Sequence, residues 1–149
     1  MFFYVKDVKQ FQGNKEFIDT AIVPLLSLNF EESKMVQSSS ETEYLMSLTS
    51  FIEKQFKGRL MVLPPFSYIE QRKSDENVLA IKEELYKAGF KHIFFITTEH
   101  FWTSKSEHID VIWLPAIPLE SMDSIVKKTV LEDQLKQVLP TFLSRWNNH

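Results

Sequence analysis

KHIFFITT, Lys91 to Thr98, is the stretch whose reading decides the fold. Ile93, Phe94, Phe95 and Ile96 follow one another without a polar break, so an extended chain here is apolar on both faces. A strand with one wet face alternates; an unbroken apolar run belongs to a strand covered on two sides by helices. IDVIWL, Ile109 to Leu114, repeats the pattern, and TAIVPL, Thr20 to Leu25, and RLMVL, Arg59 to Leu63, supply two more such runs.

Helical patterns separate most of these strands. Ser40 with Glu43 matches an S-x-x-E capping box, in which each side chain satisfies the other's free backbone donor. Leu45, Leu48, Ile52 and Phe56 recur behind it at helical spacing, predicting a helix from Ser40 to about Lys57. Ser74, Asp75 and Glu76 open the next helix, whose buried stripe is Val78, Ile81, Leu85 and Ala88. Asp7 caps a short first helix carrying Val8 and Phe11, a turn runs through Lys15 to Ile18, and the polar stretch Ser27 to Ser39 reads as a long loop. A last helical region covers Ser121 to Trp146, with Thr129 and Glu132 able to cap a restart and Pro140 expected to kink it.

After the helical prelude the order is β-α-β-α-β-β-α, which predicts one α/β domain over residues 1–149. Three layers are expected, with a four- or five-stranded, mostly parallel sheet between helices and with Ile22, Val62, Phe95 and Ile112 buried. The direction of the last strand is open. Thr98 to His108 is nearly too short for a helical crossover, and an antiparallel hairpin loop is the alternative.

Composition excludes several functions. The chain has 149 residues, 44% apolar and 25% charged, with a formal net charge of -3 and no basic stripe, so nucleic acid is not an expected partner. It contains no cysteine, which removes disulfides, thiolate nucleophiles and Cys-ligated metals and fits a reducing, cytoplasmic location. MFFYVKD lacks the basic region of a signal peptide, and no apolar run approaches the ~20 residues that span a bilayer, so no membrane insertion is expected.

Glycine and histidine exclude more. Gly13, Gly58 and Gly89 each sit at a helix end, where a left-handed residue is common. None remains for a G-x-G-x-x-G turn or a Walker loop, so no nucleotide cofactor is expected. His92, His100 and His108 recur every eight residues, an interval of about 26 Å along an extended strand. His92 and His100 therefore belong at opposite ends of one strand, and no metal site is expected.

In an open parallel sheet, ligands bind beyond the carboxyl ends of the strands. That rule selects Ser27 and Asn29, then Phe66, Ser67 and Tyr68, then Thr98, Glu99, His100 and Trp102, and finally Pro115 and Glu120. Pro24, Pro64 and Pro115 read as ordinary strand terminators. The apolar segments beyond them, LLSL, PFSYI and AIPL, either cover the core or form an exposed patch. The preferred function is a non-enzymatic binding or accessory module, with Phe66, Ser67, Tyr68 and Trp102 meeting an unknown protein or small-molecule ligand. The rival is a small-molecule enzyme using Glu99 and His100 for acid–base work.

EFIDTAIVPL, Glu16 to Leu25, with QFKGRLMVLPPFSY, Gln55 to Tyr68, resembles the YpiF-like family of uncharacterised Bacillus proteins, with similar length and element order. That resemblance implies a cytoplasmic protein of a Gram-positive bacterium and supplies no catalytic residues. LMVLPPFSY is also similar to a segment of the N-terminal domain of periplasmic TolB proteins, which implies an α/β binding module.

Overall fold

A computed structural model describes residues 1–73 and 75–147. Its elements are α1 (Val5–Gly13), β1 (Thr20–Leu28), α2 (Met35–Gln55), β2 (Leu60–Val62), β3 (Phe66–Ile69), α3 (Asp75–Ala88), β4 (His92–Thr97), a 3-10 helix (His100–Lys105), β5 (Asp110–Trp113) and α4 (Ser124–Trp146). The sheet runs β2-β1-β4-β5, with β3 joining β1 further along the same side as β2. Every strand pairing is parallel.

Side-chain alternation splits the core between two helical layers. Ile22, Leu60, Phe94, Ile96 and Ile112 point toward α2 and α4, where they meet Leu45, Leu48, Ile52, Val138 and Phe142. Ala21, Val23, Met61, Ile93 and Phe95 point the other way, toward Phe11 of α1, Val78 of α3 and Trp102 of the 3-10 helix. Ile22, Val62, Phe95 and Ile112 are all buried, as a three-layer α/β fold requires.

The last strand is parallel, not antiparallel. The 3-10 helix supplies the crossover. Its six residues cover ~12 Å at ~2.0 Å each, close to the ~13 Å needed to retrace a four-residue strand. Trp102, with no exposed surface, pins that short return against the sheet.

Other boundaries also move. β1 continues through Pro24 to Leu28 rather than ending at the proline. Ile22 turns its carbonyl to the β2 side, where it accepts from Leu63 N, and Pro24 presents its donorless nitrogen to the same side two residues on. There β2 has ended and β3 has not begun, so no ladder bond is lost. Pro64 and Pro115 do follow strand ends. β3 is a strand where the sequence shows only a turn.

α2 begins at Met35, so Ser40 and Glu43 are no capping box; the Ser40 hydroxyl instead donates to Glu120. α4 is one helix capped by Asp123, which accepts from the N–H groups of Ile125 and Val126. Thr129 restarts nothing: its hydroxyl donates to the Ile125 carbonyl inside the helix, which continues through Pro140. Asp7 lies inside α1 and accepts from the backbone N–H of Phe2. The proposed Ser74 cap lies outside the described residues.

Of the three glycines only Gly89 is left-handed, with φ +116° and Lys15 Cδ 2.9 Å from the place of a Cβ. Gly13 closes α1 in ordinary geometry and Gly58 has open space around it. Among the described residues, no helix is long and apolar enough to cross a membrane.

Candidate functional site

The chain leaves β1 for β2 on one side and reaches β4 and β5 on the other, so the strand order reverses between β1 and β4. At such a switch point neighbouring connections diverge to opposite faces and open a crevice beyond the strand ends. A cleft of about 290 Å³ lies there. Ser27 and Asn29 come from the end of β1, Lys34, Gln37, Ser38 and Glu41 from the start of α2, Glu70 from beyond β3 and Glu99 from beyond β4.

Hydrogen bonds fix the walls. Asn29 N donates to the Ser38 hydroxyl at 3.0 Å, Glu31 N donates to Asn29 Oδ1 at 3.0 Å, and Asn29 Nδ2 donates to Glu70 Oε2 at 2.6 Å. These bonds tie the end of β1 to the first turns of α2. Glu99 is held from below by the Tyr68 hydroxyl, which donates to it, and from the side by Lys73 at 3.3 Å. Tyr68 in turn accepts from Trp102 Nε1 at 2.7 Å. Burial, then the hydrogen bond to Glu99, raises the Tyr68 phenol well above its ordinary range, so it stays a neutral donor.

The cleft is electrically unbalanced. Lys73 neutralises Glu99, and Lys34 leans toward Glu31 at 4.0 Å. Lys73 Nζ also donates to the Glu70 backbone carbonyl at 2.7 Å, but among the described residues neither the Glu41 nor the Glu70 carboxylate forms an ion pair with a Lys or Arg. Partial burial raises the Glu41 carboxyl above its ordinary value, and the charges on Glu70 and Glu99 push it further, against a hydrogen bond from Gln37.

The residues selected from sequence divide. Ser27, Asn29 and Glu99 line this cleft. Thr98, His100 and Pro115 line a second cleft of about 340 Å³ that meets the first at Gln37 and Glu41. Trp102 is fully buried, Tyr68 is 7% exposed, Phe66 is half-buried and only Ser67 is open, so these aromatics brace the edge rather than present a surface. Glu99 and His100 do not form a pair; the His100 ring stands edge-on to Trp113 at 4.8 Å. His92 lies at the opposite end of β4, 3.9 Å from Asp19. Leu25, Leu26 and Leu119 are buried, so the apolar segments beyond the strands mainly cover the core. Sequence reasoning misses Glu41 and Glu70, which carry no motif and converge only through topology.

A doubly wound α/β protein with a polar crevice at its switch point is the class these features define. Residues 9–146 match the family described as "Protein of unknown function (DUF2487)", and the chain belongs to that family. It is similar to "Uncharacterized protein YpiF" of Bacillus subtilis (strain 168), with 25% identity over 144 residues, 96% of each chain. No solved structure matches it significantly.

Proposed function

We propose that this protein is a binding module whose switch-point cleft takes a small molecule bearing a protonated amine. The observation that carries this reading is the pair Glu41 and Glu70, whose carboxylates have no ion-pair partner among the described residues, in a crevice shared with Glu99 and with one lysine, Lys34, which leans toward Glu31. A carboxylate pressed by like charges is stabilised by an incoming cation, which restores the balance that Lys73 restores for Glu99 alone. Ser27, Asn29 and Gln37 add donors and acceptors that orient the rest of the ligand. The function is binding rather than catalysis, since Glu99 is engaged by Tyr68 and Lys73 and His100 lines the neighbouring cleft. The reading keeps the cytoplasmic location expected of a cysteine-free chain.

Calorimetric titration with cadaverine tests it, against 1-pentanol and inorganic phosphate as controls. Saturable binding of cadaverine alone is expected, weakened roughly tenfold in Glu41→Gln/Glu70→Gln, as for the loss of a charge-assisted contact. Phosphate binding, or cadaverine binding indifferent to both substitutions, overturns it.

A further inference from the structure

We infer that Trp113 forms an aromatic shelf that extends this site, so that the preferred ligand is an amine carrying a flat apolar group. The inference rests on the reading of the cleft given above and names the other half of the molecule it holds.

Trp113 is the last residue of β5 and pairs with Thr97, which sets it on the same sheet edge as Glu99. It is 38% exposed, unlike Trp102 and Trp146, which are buried. The ring is nevertheless fixed. Its Nε1–H donates to the Thr98 carbonyl at 3.1 Å, and the His100 ring meets it at 86°. With the indole nitrogen already engaged, what the side chain still offers is its π-face and hydrocarbon edge. That surface takes another flat apolar group in an offset or edge-on contact.

The surroundings select the same chemistry. Pro115, Ala116 and Pro118 bring no side-chain donor or acceptor to the wall of the 340 Å³ cleft. The prolines are also stiff, so little ordering is needed when a ligand enters. The volume lies within the ~300–1,000 Å³ usual for small-molecule sites. Gln37 and Glu41 line both clefts, so an amine at Glu41 is adjacent to the shelf.

Calorimetry with ethylamine and 2-phenylethylamine, on wild type, Trp113→Ala and Trp113→Phe, separates the two claims. Wild type should bind 2-phenylethylamine roughly tenfold tighter than ethylamine, the return on one aromatic contact and its buried ring area. Trp113→Ala should lose that advantage while keeping its ethylamine affinity, and Trp113→Phe should recover most of it. Equal affinities for the two amines in wild type would overturn the shelf and leave the cleft standing. An equal loss for both amines in Trp113→Ala would also overturn the shelf, because the ring would then be holding the amine itself. Failure of both amines to bind would remove the cleft reading and the shelf with it.

Discussion

The indole N–H of Trp102 donates to the Tyr68 hydroxyl, and that hydroxyl donates to the Glu99 carboxylate, so a fully buried ring sets the position of a cleft carboxylate. The chain of contacts joins the 3-10 helix, β3 and the loop after β4. Tyr68→Phe keeps the ring but removes both bonds and leaves a buried donor without its acceptor. The expected loss is about 1–3 kcal/mol, the usual cost of an unsatisfied buried polar group. Urea denaturation measures it; an unchanged midpoint would mean that the hydroxyl organises nothing.

Glu41 gives the protein a predictable pH response. Its folded carboxyl binds a proton more tightly than the unfolded one, so its pKa lies above the unfolded value, chiefly through burial and then through Glu70 and Glu99. Between those two values the folded state holds more protons than the unfolded one, so stability falls as pH rises through this window. Below the unfolded value the favourable contribution is fully present. Glu41→Gln removes the ionisation and should be more stable than wild type at pH 7 by about 0.2–1 kcal/mol, the range for partly solvated charges. The difference should close toward pH 4. Melting curves of both proteins across that range check it, and a variant less stable than wild type at pH 7 would contradict a net cost of keeping this half-buried carboxylate charged.

Phe95→Ala tests the central strand. Phe95 is fully buried on the α3 face of β4, against the layer that contains Trp102. Removing its ring should cost about 3–5 kcal/mol. A midpoint unmoved in denaturant would mean that the strand is wrongly placed.

The elements legible in the sequence are those whose signal is local. Ile93 to Ile96 announces a strand because burial on both faces writes an unbroken apolar run, and Val111 to Leu114 writes the same run at the sheet edge although Trp113 there is exposed. Ser38, Ser39 and Ser40 hide the first turns of α2, because serine competes for backbone bonds and is a weak helix former. The first turn is closed by Lys34 and Met35 donating to the Glu31 carbonyl, and the contact between Asn29 and Ser38, which exists only after folding, ties that turn to β1. β3 is hidden behind two prolines, and its pairing with β1 depends on β1 running past Pro24. Trp102 stands in a polar loop, so its sequence neighbours advertise a surface, while the partner that buries it, Tyr68, is 34 residues away. Glu41 and Glu70 look like solvated charges on a helix and a turn. Only the reversal of strand order brings them together with Glu99.

The location of the ligand site is tested most directly by backbone amide shifts in a ¹⁵N-labelled sample titrated with cadaverine. Saturable shifts are expected only at the switch-point edge, at Ser27, Asn29, Gln37, Ser38, Glu41, Glu70 and Glu99, with Asp19, Arg59 and His92 at the far end of the sheet unmoved. Shifts centred on Asp19 and His92, or no saturable shift at the edge, would contradict it.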